Sequence, residues 1–197
     1  QVPLKETEIG PLPEYWKVVK LGEVAIVRQG RTPKRNLYDD KRGFRIIKVK
    51  DFQNGGKIAI APVGDRSFVS IDMGETFRVS AGDVLILNSA HSTEVVGQKV
   101  GIVPPELAGA FYVAELTAIR ALCNASDSYY LFGYLMHPKA RERIRALVKG
   151  GHLYAEQLRS LQIPLPPLPE QRAIAEVLRA VDRKIEAEES HKQALDA

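Results

Sequence analysis

The alternation of apolar and polar residues predicts a chain of short strands followed by helices. After Phe44, residues 44–50 (FRIIKVK) alternate between apolar and basic side chains, a period-two pattern that predicts a strand with one basic face. Glycine and proline pairs separate several other apolar or alternating runs and predict turns between them. These runs predict further strands at residues 67–71, 83–88, 95–103 and 111–121.

Helical spacing of apolar residues begins near residue 127 and continues to residue 149. Ser126 or Asp127 is the expected N-cap, because a short polar side chain there can accept hydrogen bonds from the first free backbone amides. Pro138 predicts a break, since proline removes a helical hydrogen bond and clashes with the preceding turn.

The composition changes sharply near the C-terminus. Residues 163–170 (IPLPPLPE) contain four prolines and predict an extended, semi-rigid stretch. Residues 171–197 contain neither glycine nor proline and predict a long helix. Its apolar side chains recur at spacings of four, three and four, a heptad seam that predicts packing against another helix or against the chain's own domain. The seam residues are Ile174, Leu178, Val181 and Ile185.

These elements together predict an α+β fold. We expect a globular part with a twisted mixed or antiparallel sheet and flanking helices, followed by the long heptad-patterned helix. No run of apolar residues approaches the ~18 needed for a transmembrane helix. The single cysteine, Cys123, excludes a disulfide framework and a cysteine-rich zinc module. We expect Cys123 to be a buried small side chain.

Charge is concentrated in one segment of the chain. Residues 28–50 carry nine cations against Asp39 and Asp40, a net charge of +7, whereas the whole 197-residue chain carries +4 and the remainder is therefore −3. Phosphates would relieve the repulsion within such a segment, so nucleic acid is the leading partner on charge alone. A second cluster of cations, at residues 139–149, is equally compatible with a solvated helix face.

Signatures of catalysis are missing from the sequence. It has no glycine-rich phosphate loop, no dinucleotide fingerprint and no H-E-x-x-H zinc motif. The four histidines are scattered, without the paired spacing of metal ligands. A non-catalytic binding module is therefore the favoured interpretation.

The C-terminal junction resembles a known protein family. Residues 163–186 (IPLPPLPEQRAIAEVLRAVDRKIE) are similar to the junction between a target recognition domain and a conserved spacer helix in specificity subunits of type I restriction–modification systems. The order of other motifs agrees with this resemblance, and only residues 150–157 (GGHLYAEQ) depart from it. The agreeing motifs are LPEYW at 12–16, VKLGE at 19–23, GRTP at 30–33, IIKVKDF at 46–52 and AGDVL at 81–85.

The resemblance implies a function in DNA recognition. Such subunits hold two recognition domains apart on antiparallel spacer helices, and each domain recognises half of a bipartite double-stranded DNA target. The resemblance implies a recognition domain at residues 1–165 and the proline junction with its spacer and dimerisation helix at residues 166–197. The chain begins with Gln rather than Met and stops within the predicted helix, so we expect part of a longer protein.

Several partners are implied in the same way. These are methyltransferase subunits that bind S-adenosylmethionine, a translocating restriction subunit that uses ATP, and a second recognition half, either in a second copy or in the same longer chain. The specificity subunit performs no chemistry itself, so we expect no cofactor and no metal in this chain. We expect a cytoplasmic protein.

Candidate DNA contacts fall into two groups. Cations should bind phosphates, whereas neutral donors and acceptors at loop tips suit base edges. Some cations could instead cover apolar surface with their stems, and the loop at residues 88–93 could be an ordinary polar turn. The candidates are Arg28, Arg31, Lys34, Arg35, Arg42, Lys48, Asn88, His91, Ser92, Thr93, Gln98, Lys99, His152 and Tyr154.

Other functions remain open at this point. The same DNA-recognising domain could belong to a fused or single-chain restriction–modification enzyme. A different class is a basic RNA-binding or protein-interaction scaffold, although the sequence lacks the clustered aromatic residues of a single-stranded RNA platform. A hydrolase with an unrecognised site is a third alternative.

Overall fold

A computed structural model describes residues 2–60 and 64–195, with side chains described as far as residue 192. The helices are α1 (Leu21–Val24), α2 (Ser128–Met136), α3 (Pro138–Leu147), α4 (Ala155–Ser160) and α5 (Leu168–Leu195). The strands are β1 (Leu4–Lys5), β2 (Leu12–Pro13), β3 (Lys17–Lys20), β4 (Ala25–Gln29), β5 (Tyr38–Asp39), β6 (Phe44–Ile47), β7 (Phe68–Val69), β8 (Val84–Leu87), β9 (Val100–Ile102), β10 (Phe111–Tyr112), β11 (Leu116–Ala121) and β12 (Gln162–Leu165).

A four-stranded antiparallel sheet, in the order β4-β11-β8-β9, lies at the centre of the molecule. All four residues of β8 are fully buried. Because successive side chains of a strand point to opposite faces, Val84 and Ile86 pack into one hydrophobic core, while Leu85 and Leu87 pack into another. The sheet is therefore covered on both faces.

The two cores join different parts of the chain to this sheet. The core on the Val84 side contains α2, α4 and β12, and Ile174 of α5 packs against it. The core on the Leu85 side contains β6, β7 and β10. These last strands belong to a second sheet, β10-β6-β7-β5, in which β10 and β6 are parallel and the other pairs antiparallel. The predicted α+β class, with mixed and antiparallel sheets and a long C-terminal helix, is confirmed.

The proline-rich junction combines an edge strand with a helix start. Strand β12 pairs with β3 in an antiparallel ladder, and helix α5 begins at Leu168, three residues before the predicted start. Glu170, in the first turn of α5, accepts hydrogen bonds from Tyr15 Oη (3.1 Å) and Trp16 Nε1 (3.3 Å). The junction therefore holds the N-terminal segment as well as the helix.

Gln171 is the most buried polar residue of the junction, with 1% of its surface exposed. Its Nε2 donates to the carbonyl oxygens of Pro166 (2.9 Å) and Ala125 (3.3 Å), and its Oε1 accepts from the backbone N–H of Asp127 (3.0 Å). Asp127 is the N-cap of α2 and accepts from the amides of Tyr129 and Tyr130, as predicted. One side chain thus joins the proline stretch, α2 and α5.

The turn between β10 and β11, residues 113–115, also joins several elements. The Oγ1 of Thr32 donates to Glu115 Oε2 (3.0 Å) and accepts from Ala114 N (2.9 Å). Two amide side chains, from Gln29 and Asn88, donate to Ala114 O at 2.8 and 2.9 Å. The ends of β4 and β8 are therefore fixed to the same turn.

Gly30 allows this close approach. A Cβ at Gly30 would lie 2.3 Å from the carbonyl oxygen of Val113 and 2.5 Å from that of Tyr112, well inside contact distance. The Gly30 amide also donates to Leu116 O at 2.9 Å. Only glycine leaves space for the 113–115 turn at this point.

Several predicted elements are shorter or divided. The predicted strand at 44–50 ends at Ile47 and continues as a 3₁₀ turn, Val49–Asp51. The predicted strand at 95–103 keeps only β9, and the one at 111–121 divides into β10 and β11 around the 113–115 turn. The helical region breaks at Pro138 as predicted, with proline in the first turn of α3. Cys123 is exposed, so the expectation that it is buried was wrong.

The heptad seam of α5 has two parts. Ile174 and Leu178 face α2: Ile174 packs against the core, and a Cβ at Gly133 would meet Leu178 Cδ1 at 2.4 Å. Val181 and Ile185 are each half exposed, and Val177 beside them is 64% exposed. Of the two kinds of packing that the heptad pattern predicts, packing on the chain's own domain therefore applies to the first two residues, and Val181 and Ile185 are left exposed. No helix in the described ranges combines the length and apolar character needed to cross a membrane.

Replacing Gln171 with methionine tests the junction. Gln171→Met keeps the side-chain volume but leaves the Asp127 amide and two carbonyls without partners, so we expect the free energy of unfolding to fall by about 2–4 kcal/mol. Urea denaturation measures this. The matched control is Arg172→Met at the neighbouring exposed position, with a change within about 0.5 kcal/mol. Equal effects of the two substitutions would contradict the role assigned to Gln171.

Gly30→Ala tests the close approach at the 113–115 turn. The added Cβ must push backbone oxygens apart, so we expect a loss of about 3 kcal/mol in unfolding free energy. Gly74→Ala is the control, because there a Cβ meets nothing within 4 Å and only the positive φ of 94° is unfavourable. We expect the control to cost about 1 kcal/mol in thermal or urea denaturation. A Gly30 variant as stable as the Gly74 variant would refute the steric argument.

Candidate nucleic-acid interface

A basic groove borders the 113–115 turn. It encloses about 480 Å³ between the end of β4, the β6 connection and the turn after residue 63. Thr32 and Glu115 close one side, and because Glu115 accepts a hydrogen bond from Thr32, its carboxylate is held at the edge of the groove. The cations that line this basic groove are Arg35, Lys48, Lys50 and Arg66.

Lys48 is the most constrained of these cations. Its Nζ donates to the carbonyl oxygens of Asp65 (3.0 Å) and Arg66 (2.6 Å) and lies 4.9 Å from the centre of the Tyr38 ring. Partial burial lowers the pKa of Lys48, and the positive charges of Lys50 and Arg66 lower it further. Lys48, Lys50 and Arg66 are therefore close enough to repel one another, which favours an anionic ligand beside them.

Two loops that are far apart in sequence meet beside the groove. The loop at 88–93 follows β8, and its first residue, Asn88, donates its backbone N–H to Glu115 O at 2.8 Å. The loop at 149–154 pairs with it through a bridge between Ser89 and His152 and through a hydrogen bond from Leu153 N to Asn88 O (2.8 Å). Both loops therefore lie next to the same 113–115 turn as the basic groove.

Exposed polar and aromatic side chains lie on these loops. His91, Ser92 and Thr93 are exposed, and a Cβ on Gly151 would lie 3.1 Å from Thr93 Cγ2. The rings of His152 and Tyr154 stack, with centroids 5.9 Å apart at an angle of 30°, and Tyr154 is 56% exposed. This surface offers donors, acceptors and an aromatic face to a ligand.

Most candidate cations are exposed, but they do not share one position. Arg35 and Lys48 line the basic groove, whereas Arg31 lies over the Phe77 ring at 5.8 Å and Arg28 lies on β4. Arg42 follows a turn in which Asp39 Oδ1 accepts from the amides of residues 41 and 42. The exposed candidates are Arg28, Arg31, Lys34, Arg35, Arg42, His91, Ser92, Thr93, Lys99, His152 and Tyr154.

Three candidates have structural roles that the sequence did not indicate. Asn88 is 3% exposed and donates to Ala114 O and Thr117 Oγ1, so its side chain is unavailable to base edges and that expectation is corrected. Gln98 Nε2 donates to Arg141 O (3.2 Å), which attaches the β8–β9 connection to α3. Lys48 commits two of its donors to backbone carbonyls, as described above.

The second cluster of cations is also partly structural. Arg141 donates to Gln98 O, and Arg143 Nη1 donates to Gln162 O (2.7 Å) and to Tyr134 Oη (2.9 Å). Arg145 and Lys149 are exposed. The net charge of residues 139–149 therefore overstates what this segment offers to a ligand.

Arg66 and Glu115 are members of the groove that the sequence did not reveal. Arg66 lies outside the basic segment and reaches the groove because the chain turns back toward Lys48, 18 residues earlier. Glu115 falls within a stretch that the pattern predicts as strand. Only the turn signal Gly64-Asp65 marked the position of Arg66. Within residues 2–60 and 64–195, no group of three or more acidic, histidine or cysteine side chains could hold a metal ion.

Comparison with known proteins finds similar sequences among specificity subunits of type I restriction enzymes. The chain is 32% identical over 186 residues to a Methanocaldococcus jannaschii protein named as the specificity subunit of type I restriction enzyme MjaX, covering 92% of this chain and 43% of that one. It is 28% identical over 200 residues to the MjaVIII specificity subunit of the same organism, covering 98% of this chain and 45% of the relative. The chain thus spans less than half the length of these relatives.

Solved structures give the same result. The HsdS subunit of Thermoanaerobacter tengcongensis superposes with a TM-score of 0.64 at 25% identity, covering 89% of this chain and 39% of that chain. A chain from a structure of a type I R-M system superposes with a TM-score of 0.67 at 26% identity, covering 89% and 40%. A family model also matches residues 13–197. With its fold, its junction and nearly its whole length matched, the chain belongs to the type I restriction modification DNA specificity domain family.

Proposed function

We propose that this chain recognises one half of a bipartite target in double-stranded DNA, as part of a specificity subunit that directs methyltransferase and restriction subunits. The observation that supports this most directly is the position of the basic groove and the two polar loops, which border the same 113–115 turn. Membership of the specificity domain family supports the same function. The proposal assigns recognition to residues 1–165 and assembly to residues 166–197.

The groove and the loops are suited to different parts of a duplex. Lysine and arginine bind phosphates irrespective of sequence and fix the position of a protein on DNA. Hydroxyl and imidazole groups, such as those of His91, Ser92 and Thr93, can exchange hydrogen bonds with base edges. Because the 113–115 turn fixes both, a phosphate held in the groove would set the register of the loops on the bases.

The chain's own contribution in this proposal is binding, without chemistry. Methyl transfer with S-adenosylmethionine and ATP-driven translocation belong to the partner subunits. Assembly would use α5, because Val177, Val181 and Ile185 are exposed apolar side chains of this helix, unlike Ile174 and Leu178, which pack on the domain. A second recognition half, from a second copy or from the same longer protein, would cover these exposed side chains.

Binding to a DNA duplex tests the proposed function and distinguishes phosphate contacts from recognition of the bases. We expect affinity for a DNA duplex to fall steeply with salt, and Arg35→Gln to reduce the slope of log K against log salt by about 0.9, the value for one phosphate contact. Replacing His91, Ser92 and Thr93 together by alanine should leave this slope unchanged but alter the preferred sequence. Binding titrations at several salt concentrations measure the slope, and competition with random duplexes measures the sequence preference. Methylome sequencing of cells carrying the intact locus identifies the sequence.

Two results would count against the proposal. Equal affinity for every duplex, with no methylated motif that depends on the locus, would leave only a basic protein. A steeper loss of affinity in Lys20→Gln than in Arg35→Gln would place the interface elsewhere, because Lys20 lies on β3, outside the groove.

Substitutions of the exposed apolar side chains of α5 test assembly. We expect Val181→Glu with Ile185→Glu to prevent self-association, because the charges would be buried against a second helix. Light scattering with size-exclusion chromatography measures the mass, and the melting temperature should change little, since both positions are half exposed. Arg183→Glu, at an exposed position of the same helix turn, is the control. If the double variant associates as strongly as the unchanged chain, these side chains are not the interface.

A further inference from the structure

The turn at residues 64–67 has an unusual backbone. Gly64, Asp65 and Arg66 all have positive φ, at 87°, 58° and 52°. Glycine adopts this left-handed region freely, but Asp65 and Arg66 do not, since their Cβ atoms crowd the backbone at a cost of about 1–2 kcal/mol each. Such conformations persist only where surrounding contacts hold them, and they are common at ligand-binding sites.

The surrounding contacts come from residues distant in sequence. Asp40 holds the turn from one side, because its carbonyl accepts from Gly64 N (2.9 Å) and its Oδ1 accepts from Arg66 N (2.6 Å). Lys48 holds it from the other side through the carbonyls of Asp65 and Arg66. Ser67 Oγ donates to Gly64 O at 3.0 Å. These contacts occupy polar backbone atoms of the turn, and the side chain of Arg66 is exposed.

This backbone places a cation in the basic groove and a carboxylate beside one of the groove's lysines. The Asp65 carboxylate forms an ion pair with Lys50 Nζ. Arg66 lines the groove beside Lys48 and Lys50, and among the residues that the structure describes its guanidinium has no hydrogen-bond or ion-pair partner. The turn therefore presents one unpaired cation and keeps a second cation, Lys50, neutralised.

We propose that the 64–67 turn is a preformed phosphate-binding element, in which Arg66 contacts a DNA backbone phosphate and an adjacent phosphate displaces Asp65 from Lys50. Lys48 is the positioning residue, which holds the left-handed turn and does not itself contact DNA. This inference rests on the proposed function and adds to it a named phosphate contact and a carboxylate that weakens binding.

Two asparagine substitutions test the turn as a matched pair. Asparagine tolerates the left-handed region better than other non-glycine residues, so Arg66→Asn and Asp65→Asn both preserve the turn while changing its charge in opposite directions. With a random-sequence DNA duplex, Arg66→Asn should reduce the slope of log K against log salt by about 0.9. Asp65→Asn should raise the affinity and increase the slope by up to about the same amount, because Lys50 is released.

The melting temperature of each variant distinguishes an effect on DNA binding from an effect on folding. We expect Arg66→Asn to be as stable as the unchanged chain or slightly more stable, since it relieves crowding in the turn. An unchanged slope in Arg66→Asn, or a lower affinity in Asp65→Asn, would overturn the assignment. An unchanged chain that binds no duplex at any salt concentration would overturn the proposed function itself, and this inference with it.

A double-mutant cycle tests the role of Lys48. If Lys48 acts through Arg66, Lys48→Met should weaken binding, and Lys48→Met combined with Arg66→Asn should bind no more weakly than Arg66→Asn alone. Lys48→Arg should restore binding, because a guanidinium can donate to both carbonyls. Additive losses, with a slope reduced by about 1.8 in the double variant, would show that Lys48 itself contacts a phosphate.

Discussion

Burial of strand β8 on both faces is the constraint on which the rest of the structure depends. Its four apolar side chains alternate between two cores, so neither face of the central sheet can be left to solvent. One face requires the helices and the proline junction, and the other requires the second sheet, which carries the basic groove. The second sheet, with the basic groove, and helix α5 are therefore attached to opposite faces of a single sheet.

The elements that the sequence predicted correctly are those determined by local pattern. Strand β8 is a continuous apolar run between turn signals, and the Asp127 cap and Pro138 break follow from the chemistry of single residues. The stretch at 111–121 was predicted as one strand because the hydrogen bonds that make residues 113–115 a turn come from distant segments. The same reason explains why Asn88 was misassigned: it has a polar side chain in a loop-like sequence, yet its partners lie 26 and 29 residues away.

Cations in this protein have unequal roles, which net charge does not distinguish. Arg120 pairs with Asp83, a buried carboxylate, and Arg78 lies over the rings of both Phe44 and Phe111, at 4.8 and 4.6 Å from their centres. Such residues stabilise the fold by filling space and satisfying acceptors. The +7 segment contains three of the four cations that line the basic groove, but the number of cations free to contact a ligand depends on which side-chain donors already bind backbone carbonyls. The number of free cations can therefore be counted only from the three-dimensional structure.

The burial of Gln171 also has a consequence for the spacing between two half-sites on DNA in the proposed function. The described part of helix α5, Leu168–Leu195, has 28 residues and is therefore about 42 Å long. Its direction at the base is held by the three hydrogen bonds of Gln171 together with the packing of Ile174 and Leu178. A tilt of about 5° at the base would move the far end by roughly 3.7 Å, close to the ~3.4 Å rise of one base pair. In the proposed DNA reader, a rigid junction at Gln171 would thus help to keep the number of base pairs between two half-sites constant.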